Sequence, residues 1–210
     1  MSHADASPQV VYVVDDDPSV RAALKRLLAS ADLECETFED PLEFLKRAEQ
    51  DLTGCVLLDV RMPILSGLDL QQMLKAAGVH LPIIFVTGYA DVPLTVRAMK
   101  AGAIEVFTKP FEADVLLDAI RHALDGERAR RTEREELRHW RERFGTLTGR
   151  EQEVMALVVT GMLNKQVADA LGTAEKTIKA HRGQVMHKMG ARSLAELVRM
   201  ADRLGLDSKT

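Results

Sequence analysis

The fold is decided by VVYVVDDDP, residues 10–18, in which five strand-forming residues run directly into three aspartates. Valine and tyrosine are both enriched in β-strands. An apolar run without polar alternation is typical of a strand that is buried on both faces, as in a parallel sheet. The acids that follow mark the point where this strand ends.

Further segments repeat this pattern: ECETF at 34–38, GCVLLDV at 54–60, PIIFVTG at 82–88 and IEVFTK at 104–109. Between them, apolar residues recur at helical spacing, for example Leu24, Leu27 and Leu28. Each parallel connection needs a helix to return the chain, so the alternation favours helices on both faces of the sheet. We therefore predict an α/β doubly wound sheet of five parallel strands.

Polar side chains follow four of the predicted strands: Asp15, Asp16 and Asp17, then Asp59, then Thr87, then Lys109. In doubly wound sheets, ligands bind at the carboxyl ends of the strands. Any one polar strand end can simply meet solvent, but four together indicate a site. Oxygen ligands without His or Cys favour a hard cation, so the sequence predicts Mg²⁺. Lys109 is suited to pair with a carboxylate and later with a phosphoryl oxygen, and Pro110 permits a cis bond there.

Length and composition favour two domains, because 210 residues with 46% hydrophobic and 29% charged side chains can bury one or two cores. No apolar stretch approaches the roughly 20 residues of a membrane helix, and MSHADASPQ lacks the features of a secretory signal. We expect a cytoplasmic protein. Cys35 and Cys55 lack metal-ligand spacing and are expected to pack in a core.

The charge changes along the chain and marks a boundary. Residues 1–125 carry 11 basic and 20 acidic side chains, residues 126–145 carry 7 and 5, and residues 146–210 carry 10 and 7. The segment 126–145 has a helical composition and is expected to extend the last helix of the first domain as a stiff connector. Leu137, Trp140 and Phe144 have spacing that fits either a narrow dimer seam or packing onto one of the domains.

The last third of the chain predicts a small all-α helix-turn-helix domain. Thr148 and Glu151 have the spacing of a capping box at the start of a helix. KQVADAL, with Asn164 as a candidate cap, and EKTIKAHRGQVMHKM form two helices joined by a tight turn at Gly172. The second helix has an apolar stripe and, on its other faces, Lys176, Lys179, Arg182 and Lys188. Such a basic helix by itself is more often a solvated surface than a DNA reader.

The motifs VVDDDP, LLDVRMP, SG, VTGYAD, AMKAGA and FTKPF resemble the receiver domain of two-component response regulators over residues 9–125. The resemblance implies a flavodoxin-like fold with Asp59 as phosphoacceptor. It also implies an Mg²⁺ site made by Asp15, Asp16, Asp59 and the backbone carbonyl of Arg61. Asp17 is an extra acid, expected to cap a helix or to lie in solvent.

The same resemblance implies a switch. Thr87 would bind the phosphoryl group, Lys109 would pair with it, and Phe107 would be the aromatic residue that moves inward with Thr87. Arg61 and Tyr89 match positions that influence water access in this family. Because both side chains are large, we expect slow loss of phosphate.

Residues 147–198 are similar to the LuxR-type helix-turn-helix, through the blocks REQEV, NKQVA, TIKAH and KMGA. The resemblance implies a recognition helix at about 175–189 in a major groove. Base edges would be faced by Lys179, Ala180 and Gly183, and phosphates by Lys165, Thr177, Arg182 and Lys188. Lys176 on the same helix is also assigned to the DNA-binding surface. Ala174 stands where the family usually has a serine cap, which leaves Thr173 as the candidate cap.

The two domains together look most like the FixJ branch of the FixJ/NarL response regulators. The order is then an N-terminal tail at 1–8, the receiver at 9–125, a linker at 126–145 and the output domain at 146–210. Relatives form dimers through the fourth helix and fifth strand, here Val92, Pro93, Val96, Arg97, Met99 and Lys100. Implied partners are a sensor histidine kinase, promoter DNA, a second copy after phosphorylation, and RNA polymerase.

Two other classes of function compete with this interpretation. A magnesium-dependent phosphohydrolase with an aspartyl nucleophile commonly has a second acid two residues later, but Arg61 occupies that place, so we expect no enzyme. A receiver that acts only through protein partners would leave the 147–198 pattern unexplained.

Overall fold

The computed structural model describes residues 9–89 and 91–206. The chain divides into two compact units, one ending at Arg130 and the other beginning at Arg131. This division lies inside the predicted linker, so part of that linker belongs to each unit. The predicted N-terminal tail, residues 1–8, lies outside the described residues.

The first unit contains a parallel five-stranded sheet in the order β2-β1-β3-β4-β5. Its strands are β1 (Val10–Val14), β2 (Glu34–Phe38), β3 (Gly54–Leu58), β4 (Ile83–Thr87) and β5 (Glu105–Thr108). The helices that alternate with them are α1 (Pro18–Ser30), α2 (Pro41–Arg47), α3 (Gly67–Ala76), α4 (Val92–Ala101) and α5 (Ala113–Gly145). The predicted strands and their alternation with helices are confirmed.

Short polar side chains start the helices of this unit at the strand ends. Asp17 accepts a hydrogen bond from the Ser19 N–H at the start of α1, which confirms its predicted capping role. Ser66 and Asp91 cap α3 and α4 in the same way. Each cap satisfies a backbone donor that the first helical turn leaves unpaired, so the loops at this edge of the sheet have defined conformations.

Apolar side chains cover both faces of the sheet. One face packs Val13, Leu57 and Val86 against α1 and α5. The other packs Val14, Leu58 and Phe85 against α2, α3 and α4. Since neighbouring residues of a strand point to opposite faces, each strand contributes to both layers. Cys55 is fully buried in the first layer and Cys35 packs against it, as the sequence predicts.

The second unit contains the end of α5 together with α6 (Gly149–Val158), α7 (Asn164–Ala170), α8 (Glu175–Met189) and α9 (Leu194–Arg203). The capping box of Thr148 and Glu151 is present at the start of α6. The two other predicted caps are wrong. Asn164 is the first residue of α7 rather than its cap, and α8 starts after Ala174 without a side-chain cap from Thr173.

The core of the second unit includes the end of α5. Val154, Ile178 and Leu197 are completely buried, and Trp140 and Phe144 pack against the cluster to which they belong. This packing favours the predicted docking of the segment onto a domain over a dimer seam at these two aromatic residues. No helix in the described ranges is long and apolar enough to cross a membrane.

Candidate functional site

Asp59 lies directly beyond β3, where the sheet fixes its backbone and side chain. Its N–H donates to the Val14 carbonyl at 2.9 Å, so the ladder with β1 continues past the end of the strand. One carboxylate oxygen, Oδ2, accepts from the Arg61 N–H at 2.5 Å. Only 6% of the residue is exposed. The carboxylate is therefore held in one orientation at the carboxyl edge of the sheet.

Gly67 is what allows the chain to pass so close to Asp59. A β-carbon at Gly67 would lie 2.1 Å from the Asp59 carbonyl oxygen. The Gly67 N–H also donates to the Val60 carbonyl at 3.0 Å. A glycine is required here because of space, since no side chain fits between the start of α3 and the backbone of Asp59.

Lys109 joins the two buried acids of the site. Its Nζ lies 2.7 Å from Asp15 Oδ2 and 3.1 Å from Asp59 Oδ1. Its backbone N–H donates to the Thr87 carbonyl at 2.8 Å, which ties the end of β5 to the end of β4. The Lys109–Pro110 peptide bond is cis, as the sequence permits. The ammonium that FTKPF places at a strand end thus neutralises carboxylates from β1 and β3.

The electrostatics of this cluster reflect burial and pairing together. Burial raises the pKa of Asp59 above its ordinary value, against the opposing effect of Lys109 and the Arg61 N–H. Burial acts to lower the pKa of Lys109, but hydrogen bonds and charges from Asp15 and Asp59 outweigh it, and the pKa is raised. Lys109 is therefore charged at neutral pH.

These groups line an open cleft of about 200 Å³, together with Asp16, Asp17, Thr87, Gly88 and Tyr89. Thr87 is buried at its base, and its Oγ1 accepts from the Tyr89 N–H at 3.3 Å. At the mouth, the guanidinium of Arg61 lies 4.0 Å from the centre of the Tyr89 ring. This cation–π contact joins the two large residues that the sequence predicts to limit water access.

The donor set of the cleft suits a hard divalent cation. Asp15, Asp16 and Asp59 offer only oxygen atoms, and with Lys109 their formal charge sums to about −2 at neutral pH. Within the described residues, no three acidic, His or Cys side chains converge closely enough to hold a metal. In this structure the Lys109 ammonium pairs with both Asp15 and Asp59.

The comparisons with known proteins agree with this arrangement. The family model for the response regulator receiver domain matches residues 11–121, and the model for bacterial regulatory proteins of the luxR family matches residues 145–201. The chain belongs to the response regulators. Its predicted function, phosphorylation-activated control of transcription through a LuxR-type DNA-binding domain, is the function of this family. The alternative that relies on protein partners alone does not account for the second match.

Relatives of this response regulator match nearly its whole length. It is 48% identical over 207 residues to nodulation protein W of Bradyrhizobium diazoefficiens, covering 98% of this chain and 91% of the relative. It is 42% identical over 204 residues to the response regulator protein TodT of Pseudomonas putida, with 97% and 90% covered.

Solved structures are similar as well. The response regulator StyR shares 49% identity with a TM-score of 0.84, covering 94% of this chain and 100% of that one. Full-length FixJ from B. japonicum shares 38% with a TM-score of 0.59, covering 97% and 100%. The predicted FixJ/NarL membership and fold class are thus confirmed.

The structure of this response regulator corrects the prediction for Phe107. In the register of β4 with β5, Phe107 lies opposite Val86, while Val106 lies opposite Phe85. Phe107 accordingly packs in the layer of α1 and α5, and Val106 packs in the layer of α2 to α4. Thr87 belongs to the face of Phe85 because side chains alternate along a strand. Phe107 therefore cannot fill space that Thr87 leaves; Val106 is on the correct face.

The positions predicted to meet DNA fall into two groups. The exposed positions are Lys165, Lys176, Thr177, Lys179, Ala180 and Gly183. The other two positions have partners within the protein. Arg182 Nη1 donates to Asn164 Oδ1 at 3.1 Å, and Lys188 Nζ lies 2.6 Å from Glu151 Oε2. A free basic face is present, but it is smaller than the sequence suggests.

The predicted dimer surface is exposed on α4. All six of its residues are exposed: Val92, Pro93, Val96, Arg97, Met99 and Lys100. Val92 is 77% exposed, and Val96 and Met99 are each 44% exposed. Large apolar side chains in solvent at successive helical turns are typical of a surface that another protein covers.

Sequence reasoning missed Arg21, which lies next to the site on α1. Its Nη1 donates to the Asp15 carbonyl at 2.7 Å, and its Nη2 pairs with Glu39 at 2.9 Å. Only 15% of the Arg21 side chain is exposed. No sequence pattern around Arg21 predicts this contact, because the contact depends on how α1 packs over the end of β1.

Proposed function

We propose that Asp59 is the phosphoacceptor of this response regulator and that a sensor histidine kinase is the donor. The observation that carries the proposal is the cluster in which Lys109 lies within hydrogen-bonding distance of both Asp59 and Asp15. A nucleophilic carboxylate must be accessible, oriented and close to positive charge that can neutralise a phosphoryl group. Asp59 meets all three requirements at the base of an open cleft.

The transfer itself needs little besides positioning and charge. An oxygen of Asp59 attacks phosphorus, an O–P bond forms, and the P–N bond to the kinase histidine breaks with the electron pair kept by the imidazole nitrogen. Lys109 then moves from Asp59 toward the phosphoryl oxygens, as an ammonium on a flexible stem can do. Thr87, buried beside the acceptor, offers its hydroxyl to another of those oxygens.

Mg²⁺ is the cofactor that fits this donor set. We assign it to the carboxylates of Asp15, Asp16 and Asp59, with the backbone carbonyl of Arg61 as a further ligand. Bound there, the ion would supply positive charge to the phosphoryl oxygens. Within the described chain, the Asp16 side chain has no hydrogen bond or ion pair, which leaves its oxygens available to a cation.

Phosphorylation is proposed to act on α4 and β5 through Thr87. When the Thr87 hydroxyl turns toward the phosphoryl group, Val106 is an apolar β5 side chain on the same face that can follow it. A change there would reach the exposed surface from Val92 to Lys100, where a second copy would bind. Two paired output domains would then contact two DNA half-sites through α8.

Sedimentation tests this proposal directly. The full-length protein and its Asp59→Asn variant are compared with Mg²⁺, each with and without beryllofluoride, which mimics a phosphoryl group. We expect only the wild type to shift from monomer to dimer. If the wild type stays unchanged, or is a dimer without the mimic, phosphorylation-driven dimerisation is wrong. Binding of the protein to promoter fragments would then show whether DNA recognition occurs without phosphorylation-driven dimerisation.

A further inference from the structure

Within the output domain, Glu151 and Lys188 form an ion pair. Glu151 belongs to the capping box of α6, and Lys188 belongs to α8, the predicted recognition helix. Glu151 Oε2 accepts from Lys188 Nζ at 2.6 Å and from the Thr148 N–H at 2.7 Å. The same ammonium also donates to the Thr146 carbonyl at 3.3 Å. One carboxylate thus contacts the backbone at the start of α6 and a side chain in the last turn of α8.

This pair is largely withdrawn from solvent. The side chain of Glu151 is 7% exposed and that of Lys188 is 28% exposed. The hydrogen bond from Lys188, followed by that from Thr148, lowers the pKa of Glu151, so its carboxylate is charged at neutral pH. To reach a DNA phosphate, Lys188 would have to give up its charge-assisted hydrogen bond to a carboxylate that is shielded from solvent, which is unfavourable.

The location of the pair gives it a mechanical consequence. Near Lys188, α8 buries Val185 and Met189 in the domain core, while its exposed positions Lys179, Ala180 and Gly183 lie earlier in the helix. Fixing the last turn of α8 to the start of α6 fixes the direction in which the earlier turns project.

We infer that Lys188 is a positioning residue for the recognition helix, held by Glu151, rather than a phosphate contact. This inference rests on the proposed DNA contact of α8 and changes which residues make it. Backbone phosphates are then left to exposed basic residues such as Lys165 and Lys176. The pair acts on DNA binding through the orientation of α8, without touching DNA.

Lysine acetylation measured by mass spectrometry tests the pairing in the full-length protein. Without DNA, we expect Lys188 to react about tenfold more slowly than exposed Lys176, because its hydrogen bond to a charged carboxylate must break first. Glu151→Gln removes the charge but keeps an acceptor for the Thr148 N–H, and should speed the reaction of Lys188. Thr148→Ala is the matched control, since it weakens the cap without removing the carboxylate. Equal rates at Lys188 and Lys176 in the wild type would overturn the inference.

Salt dependence of DNA binding separates positioning from phosphate contact. The probe is a 30-base-pair duplex of random sequence, so that no target promoter is needed. Each phosphate contact contributes about −0.9 to the slope of log affinity against log salt concentration. We expect Lys188→Met to leave the slope unchanged while lowering affinity, whereas Lys176→Met should reduce the slope by about 0.9.

The outcomes distinguish this inference from the proposed DNA contact. If Lys188→Met reduces the slope as a phosphate contact would, the positioning role is wrong. If neither Lys176→Met nor Lys165→Met changes the slope, the proposed DNA contact through the exposed basic residues of α7 and α8 is wrong. In that case the acetylation rates still decide whether Glu151 holds Lys188.

Discussion

Replacing Gly67 by alanine would place a methyl group against the backbone of the phosphoacceptor. The new β-carbon would stand 2.1 Å from the Asp59 carbonyl oxygen, and ordinary contact begins at 3.4 Å. The two atoms must therefore separate by about 1.3 Å. The Leu58 side chain, 3.1 Å from the same β-carbon, leaves little freedom on the other side.

The size of the effect follows from that displacement. A misplacement of about 1 Å in a reacting group costs on the order of 100-fold in rate. We therefore expect Gly67→Ala to be phosphorylated about 100-fold more slowly than the wild type. The crowding should also lower the free energy of unfolding by roughly 1–3 kcal/mol, as overpacking does elsewhere.

Phosphorylation by acetyl phosphate, followed by mobility shift, measures this rate without a kinase surface. Gly149→Ala is the matched control, because Gly149 is also the first residue of a capped helix, and a β-carbon there would meet nothing within 4 Å apart from its chain neighbours and its own helix backbone. We expect the control to react like the wild type. A Gly67→Ala variant that is folded and within about twofold of the wild-type rate would refute the argument from close approach.

Three other predictions concern the same cleft. Burial raises the pKa of Asp59 above the ordinary value of 3.8. The folded wild type therefore loses stability as pH rises from 3.8 through the raised pKa. Asp59→Asn lacks this ionisation, so its resistance to urea should increase relative to that of the wild type as pH approaches 7. Arg61→Ala removes the contact with Tyr89, and should shorten the phosphorylated lifetime about twofold to fivefold, matching roughly 0.5–1 kcal/mol for an exposed cation–π pair. Arg21→Ala frees the Asp15 carbonyl, and should raise the Mg²⁺ dissociation constant in titration calorimetry about tenfold.

Controls make each result decisive. Urea unfolding with a chelator excludes metal effects, and an Asp59→Asn advantage that shrinks toward pH 7 would contradict the sign derived from burial. Tyr89→Phe keeps the ring beneath Arg61 and should leave the lifetime unchanged. Arg26→Ala removes an exposed cation from the same helix as Arg21; equal Mg²⁺ affinity in both variants would exclude a positioning role for Arg21.

The sheet and the acidic cleft could be predicted because their signals are local. Apolar runs identify parallel strands, and polar residues at their carboxyl ends must meet at one edge of the sheet. Asp15, Asp59 and Lys109 are distant in sequence, yet each directly follows its own strand. Topology alone therefore brings them together.

Phe107 and Lys188 show where local patterns do not suffice. Val106 and Phe107 are adjacent apolar residues, and only the register with β4 decides which one faces the layer of Thr87. Helical spacing correctly places Lys188 off the apolar stripe, but its partner Glu151 is 37 residues away. A basic residue beside an apolar stripe has the same pattern whether it meets solvent, DNA or a buried carboxylate.

The packing of Trp140 and Phe144 against the output core limits where recombination can exchange one receiver domain for another. A recombination that joined a foreign receiver to this chain at residue 146 would discard both aromatic residues and uncover the apolar cluster they help to close. The ion pair between Arg203 and Glu133, with 2.6 Å between its atoms, would be lost as well. A DNA-binding domain that is transferred intact must therefore begin near Arg131, within a helix rather than at a loop.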